Sequence, residues 1–263
     1  MKLFFREYGN GIPIIIAHGL FGMSDNWISV AKILSEGFKV YLLDSRNHGQ
    51  SPHSKIHTYE ALSKDIFEFL NNKKIDKAHF IGHSMGGKTV LQFAKNHPGK
   101  ILSMTIVDIS PKKYILSDNF FKKTLNHKLL LEELRKVNLS GLKNRKELTE
   151  YLQNKFVNYF QLQLILKNIK TENKKFVWKI NIDALYNHLN EIRDEIKPTI
   201  EMQKIKTQFI FGGNSPYSNQ EDRIYIKENL PQAEIKIIPN AGHLVHIEKQ
   251  QDFIKVFSYF INS

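Results

Sequence analysis

A chain of 263 residues, 41% of them hydrophobic, can bury one sizeable core, either as a single α/β domain or as a domain with an insertion. It has no cysteine, which excludes thiol nucleophiles, disulfides and cysteine-based metal sites, and no run approaches the roughly 20 apolar residues of a membrane-spanning helix. The formal charge of +12 is concentrated in residues 112–200, with 18 basic against 10 acidic groups, but no zinc-finger pattern, RNA-binding aromatic signature or compact arginine-rich arm accompanies it, so nucleic acid is not an expected partner.

The first apolar run is cut by Arg6 and Glu7 before it reaches the length of a secretory segment, and the expected location is cytoplasmic. Residues 2–7 read as an edge strand followed by a Gly9-Asn10-Gly11 turn. Residues 13–17 contain the β-branched run Ile14-Ile15-Ile16, which suits a strand covered on both faces, and lead into His18-Gly19-Leu20-Phe21-Gly22. Asp25 is placed to cap the next helix, which runs to about Ser35. A second buried strand, 38–43, ends in the polar loop from Asp44 to Pro52. Thr58 can cap a helix over 59–71, on which Leu62, Ile66, Phe69 and Leu70 share a stripe. Strand 77–82 precedes Gly82-His83-Ser84-Met85-Gly86, a helix over 84–96 follows, and Pro98-Gly99 stops it. The apolar strand 101–109 ends in Asp108-Ile109-Ser110-Pro111.

Composition then changes. Residues 112–198 show helical periodicity, high charge and no convincing buried strand, with amphipathic helices over 129–134, 148–160 and 182–196, so an all-helical insertion is expected. The strand–helix rhythm resumes with strand 205–211, the turn Gly212-Gly213-Asn214-Ser215, a helix over 220–229 and a last strand, 233–238. That strand leads to Pro239-Asn240-Ala241-Gly242-His243 and a closing helix over 248–261. Strands alternating with helices predict an α/β fold with a mostly parallel sheet and helices on both faces. The polar motifs at the strands' C-terminal ends lie where such sheets bind ligands.

Gly82-x-Ser84-x-Gly86, set between a strand and a helix, has the context of a nucleophile elbow. A serine hydroxyl is a weak nucleophile and needs a base. His243, in a glycine-flanked loop after the last strand, is the candidate to accept the Ser84 proton and return it to the leaving group. His246, three residues on, is the alternative base or else a packing residue. The backbone N–H of Met85, next to the nucleophile, would serve one position of an oxyanion hole.

These residues together resemble the α/β-hydrolase superfamily over nearly the whole chain. The finer motifs are His-Gly-Leu-Phe-Gly-x-x-x-Asn-Trp at 18–27, Asp-x-Arg-Asn-His-Gly-x-Ser-Pro-His at 44–53, Gly-His-Ser-Met-Gly-Gly-Lys at 82–88, Val-Asp-Ile-x-Pro at 107–111 and Gly-Gly-Asn-Ser-Pro-Tyr at 212–217. That set looks like the YbfF-type bacterial esterases and their mitochondrial abhydrolase relatives. The resemblance implies a hydrolase core formed by residues 1–110 and 201–263 under a helical cap of residues 111–200. It implies a second oxyanion donor at Leu20, a structural role for His18, and loop-ordering roles for His48 and His83. It calls for no metal or organic cofactor.

The third catalytic member departs from the commonest family pattern, because Gly212-Gly213-Asn214-Ser215-Pro216 carries no carboxylate. A known variation puts the acid at the end of the strand after the elbow helix, where Asp108 stands. Asp222, near Glu221 in the next helix, is the alternative, and Asp44 is expected to fix its own loop with Arg46. The implied reaction is hydrolysis of a small-molecule ester or thioester with a short- to medium-chain acyl group. The basic cap is compatible with an anionic substrate such as an acyl-CoA, and equally with a lysine-rich coding bias. Phe120, Phe121, Phe156, Tyr159, Phe160 and Trp178 could line an acyl pocket or simply bury the cap against the body. Carbon–carbon hydrolases, lyases and perhydrolases of this fold keep the same triad, and a catalytically silent ligand-binding protein is the alternative from another class.

Overall fold

The structure is a computed structural model that describes residues 1–114, 126–154, 159–217 and 219–263. Its strands are β1 (Phe5–Tyr8), β2 (Ile12–Ala17), β3 (Phe38–Leu43), β4 (Ala78–His83), β5 (Ile101–Val107), β6 (Ile169–Glu172), β7 (Lys175–Trp178), β8 (Lys206–Gly212) and β9 (Glu234–Ile238). Seven of them form one sheet in the order β1-β3-β2-β4-β5-β8-β9. Only β1, at the edge, runs antiparallel to its neighbour; every other pairing in this sheet is parallel.

Side chains alternate across the strands and feed two cores. On one face Ile15, Phe80, Met104 and Phe209 pack against α2 (Tyr59–Lys73) and α3 (Met85–Asn96). On the other, Ile14, Ile16, Val40 and Ile210 pack against α1 (Ile28–Leu34) and the C-terminal helix Gln250–Asn262. Both faces being covered explains why Ile14, Ile15 and Ile16 are all essentially without exposure. Thr58 caps α2 as expected, its hydroxyl accepting the Ala61 amide at 3.3 Å. Asp25 does not cap α1. It sits inside a 3-10 turn, Ser24–Trp27, and pairs with Arg6 at 2.6 Å, so α1 begins one residue after Trp27.

Between β5 and β8 the chain leaves the sheet. The described part holds α4 (His127–Arg135), α5 (Arg145–Gln153), α6 (Tyr159–Lys167), α7 (Ile182–Asn187) and α8 (Leu189–Arg193). Leu131, Leu134, Leu148, Leu152, Ile165 and Leu185 give this insertion a core of its own, and Phe21 of the body inserts into it. The insertion is not all helical, since β6 and β7 form an antiparallel ribbon. The ribbon escapes the sequence pattern for two physical reasons. Its β6 residues Lys170, Thr171 and Glu172 are exposed and polar, and its turn uses Asn173 (φ 49°) and Lys174 (φ 61°), both left-handed, without the glycine that usually marks such a hairpin. No helix among the described residues is long and apolar enough to cross a membrane.

The remaining helices are α9 (Ile200–Gln203), α10 (Gln220–Asn229), α11 (Val245–Glu248) and α12 (Gln250–Asn262). Parallel pairing puts the C-terminal ends of β2, β4, β5 and β8 along one edge of the sheet, below the insertion.

Candidate active site

Ser84 connects β4 to α3 in a backbone conformation with φ 52° and ψ −119°, a region that costs a non-glycine residue about 1–3 kcal/mol. The turn is held by the Ser84 amide, which donates to the Val107 carbonyl at 2.9 Å, and by the Ser84 carbonyl, which accepts the Lys88 amide at 3.1 Å. Gly86 is required by close approach, for a Cβ there would lie 2.2 Å from the Ala17 carbonyl oxygen. The tight turn leaves Ser84 only 8% exposed while it still lines the cavity above the sheet.

His243 reaches the same cavity, of about 310 Å³, from the loop after β9. Its Nδ1 donates to Asp108 Oδ2 at 2.6 Å. Asp108 follows β5, has φ 53°, and is fully buried. A buried carboxylate needs partners. Here Oδ1 accepts the Gly212 amide at 2.9 Å, and Oδ2 also accepts the Ser215 hydroxyl. Gly212 admits this arrangement because a side chain there would press on the Gly242 carbonyl, 2.2 Å from its Cβ position. The three groups come together because β5 and β8 are neighbours in the sheet.

The alternative assignments lie elsewhere. Asp222 is engaged by the Ser110 hydroxyl at 2.8 Å and by Lys112 at 3.1 Å, and burial raises its pKa. His246 is buried with its ring stacked on Trp27, 3.8 Å between centroids and 1° between planes, and its Nδ1 meets no partner among the described residues. Burial, with the neighbouring His243 adding to it, pushes the His246 pKa down to about 3.

The other histidines of this edge are neutral braces. His18 donates from Nδ1 to the Gly19 carbonyl at 2.8 Å and accepts the Ser45 amide on Nε2 at 3.0 Å, a pairing that fixes its tautomer and ties the β2 and β3 ends together. His48 donates from Nδ1 to the Arg46 carbonyl at 3.0 Å and accepts the Phe21 amide on Nε2 at 3.3 Å, steadying the loop that carries Leu20. His83 donates from Nε2 to the His243 carbonyl at 2.9 Å, so it holds the loop bearing the candidate base. Burial keeps the pKa of His18 below the usual imidazole value and those of His48 and His83 well below it. Asp44 does fix its loop, accepting the Ser24 amide at 2.6 Å and the Gln50 amide at 2.8 Å, but not through Arg46. That guanidinium turns instead to Asp65, in α2, with contacts of 2.6 and 2.7 Å.

Leu20 borders the cavity on the β2 side, and Met85 opens α3 beside Ser84. No described acceptor takes up the backbone amide of either. From the insertion, His127 and Leu164 line the cavity. Trp178 does not; it faces a separate hollow with Arg135 and Asn181. Phe120, Phe121 and Phe156 lie outside the described residues, as do the side chains of Tyr159 and Phe160. Among the described residues no cluster of histidine and acidic side chains is arranged to hold a metal ion.

Several contributors carried no sequence signal of their role. Ser215 sits in a motif, but nothing in the motif tells that its hydroxyl points at Asp108. Tyr217 lays its ring 4.5 Å from that of His243. Lys88, fully buried in α3, donates to the carbonyls of Lys112 at 2.9 Å, Arg193 at 3.2 Å and Asp194, pinning both ends of the insertion to the elbow helix.

The family model for the alpha/beta hydrolase fold matches residues 12–250. The chain is 33% identical to an sn-1-specific diacylglycerol lipase, ABHD11, of Danio rerio over 98% of this chain and 80% of that one. It is 30% identical to esterase YbfF of Escherichia coli (strain K12), over 96% and 94% of the two chains. Among solved structures, a marine microorganism esterase superposes with a TM-score of 0.92 at 37% identity, covering 98% of this chain and 99% of that one.

Proposed function

The chain belongs to the alpha/beta hydrolase family and is an ester-hydrolysing enzyme, and on that footing we propose that it works through an acyl-enzyme on Ser84, with His243 as base and Asp108 as the orienting acid. Residues 111–200 act as the cap. The Ser84 hydroxyl attacks the acyl carbonyl while His243 takes its proton on Nε2, the nitrogen left free by the Nδ1 contact with Asp108. The developing oxyanion is met by the Leu20 and Met85 amides; a single donor of this kind is worth about 2.7–4 kcal/mol in the transition state. His243 then protonates the leaving alkoxide or thiolate, and water, activated by the same imidazole, releases the acid.

The observation that carries this proposal is the 2.6 Å contact between His243 and a fully buried Asp108, behind a histidine that shares its cavity with an elbow serine. A buried carboxylate both selects the tautomer with Nδ1 protonated and stabilises the imidazolium that forms during attack. The cavity of about 310 Å³ is at the small end of the range for ligand pockets, which favours short- to medium-chain acyl esters or thioesters. The test is hydrolysis of a chain-length series of p-nitrophenyl esters and acyl-CoA thioesters. Activity should peak at short to medium chains and vanish in Ser84→Ala. A Ser84→Ala protein that retains the activity would overturn the mechanism.

A further inference from the structure

We propose that His127 is a third donor to the oxyanion. Its imidazole, carried in by the insertion, hydrogen-bonds the oxygen of the reacting carbonyl beside the Leu20 and Met85 amides. This deepens the Ser84 mechanism above and rests on it.

Ser84 stands where two cavities meet. The larger, of about 310 Å³, is shared with His243; the smaller, of about 40 Å³, is bordered by Met85 and not by His243. Four residues border both: Leu20, Ser84, Tyr217 and His127. A tetrahedral carbon on Ser84 Oγ lies at that junction, with its leaving group on the His243 side, so these four surround it. Of them only His127 comes from the insertion, where it opens α4.

His127 stands on the oxyanion side of the junction. Its ring lies 6.0 Å, centroid to centroid, from that of Phe21, the residue after Leu20. The same loop is tied to the insertion by Asn168, whose Nδ2 donates to the Phe21 carbonyl at 2.6 Å. The segment that offers the Leu20 amide and the segment that offers the imidazole are therefore fixed to each other. Among the described residues neither ring nitrogen of His127 has a hydrogen-bond partner. His243 has the Asp108 carboxylate behind it and takes the proton. No described carboxylate stands behind His127 in that way, and burial, with Arg193 and His243 adding to it, pushes its pKa down to about 3. A neutral imidazole keeps one N–H to donate and passes no proton on. Such a ring polarises a carbonyl without titrating against the base.

The experiment measures kcat and KM for p-nitrophenyl butyrate and the inhibition constant of propyl trifluoromethyl ketone. The ketone adds Ser84 Oγ and presents the oxyanion without being cleaved. The variants are His127→Phe, which keeps a ring beside Phe21 and loses the donor, His127→Leu, its smaller counterpart, and His127→Gln, which keeps a donor. The two apolar variants should lose roughly 100-fold in kcat, as for one oxyanion donor, with KM little changed. They should bind the ketone more weakly by a like factor, the mark of a contact made only in the transition state. His127→Gln should recover much of both, and the acid limb of its kcat/KM profile should stay in place. Unchanged kcat in the apolar variants overturns the proposal, and so does a lower kcat with undiminished ketone affinity, which is what lost packing alone would give. An acid limb that moves in His127→Gln makes the residue a proton carrier and overturns it too. A ketone that fails to inhibit the wild type overturns the Ser84 mechanism itself, a failure distinct from one confined to His127.

Discussion

Asp108 spends both carboxylate oxygens on defined donors, Gly212 N and Ser215 Oγ besides His243 Nδ1, and that decides what it can do. Each of these contacts brings it a donor, so the group serves as an acceptor. Asp108→Asn replaces one of those acceptors with a donor facing another donor and favours the wrong His243 tautomer. The expected outcome is a loss of roughly 10⁴-fold in kcat with the fold retained, whereas Asp222→Asn, acting on the Ser110 and Lys112 contacts, should change kcat little and lower stability. Steady-state kinetics on both variants, with circular dichroism as the control, separates the two assignments. At this scale Ser84, His243 and Asp108 stood out as candidates because each stands at the end of an apolar strand or in the loop after one, where a polar residue has no packing reason to be. Ser215 was not legible, because a hydroxyl's direction exists only once distant segments meet.

Helix α3 shows how an element carries both the site and its cover. Its first residues shape the elbow, and one turn on, Lys88 holds the insertion by backbone carbonyls on both of its flanks, Lys112 before and Arg193 and Asp194 after. Lys88→Met keeps the volume of the stem but takes this donor from the Lys112 and Asp194 carbonyls and leaves the Arg193 carbonyl the Tyr114 amide. Unmet buried acceptors cost about 1–3 kcal/mol each, so urea unfolding should show a loss of a few kcal/mol, and kcat/KM should fall as the insertion loses its register over Ser84. The sequence showed the helix and its stop at Pro98-Gly99, but Lys88 read as one more lysine of a basic chain. The same blindness hid the β6–β7 ribbon, where local polarity imitates an exposed helix and only pairing across the Asn173-Lys174 turn reveals a strand.

On the scale of the whole molecule, histidines whose pKa is lowered by burial stand both in the body, His57 and His246, and in the insertion, His127. Burial, the largest cause in each case, pushes His57, His127 and His246 down to about 3. An unfolded histidine titrates near 6.5, so between about pH 6.5 and 3 the unfolded chain binds protons that the folded chain refuses. The stabilisation is therefore present above pH 6.5 and is lost as pH falls through that window, at up to about 1.4 kcal/mol per pH unit for each such group. Denaturant unfolding at pH 7.5 and 5.5 should show a clear drop. His246→Phe, which preserves the stack on Trp27, should flatten the slope; an equally steep slope in that variant would contradict the assignment. At this largest scale the sequence was most informative. The β-branched run Ile14-Ile15-Ile16 announced a strand covered on both faces, and the polar motifs fell at the ends of strands that the parallel topology then gathered along one edge.

If ester hydrolysis passes through the Ser84 hydroxyl, blocking that hydroxyl must stop it. The most direct measurement is titration of the wild-type protein with a fluorophosphonate, following esterase activity and locating the adduct by peptide mass spectrometry. Activity should fall in proportion to label and reach zero at one adduct per chain, with the adduct on the Ser84 peptide. Hydrolysis that survives complete labelling of Ser84, or a label that silences the enzyme from another residue, would contradict it.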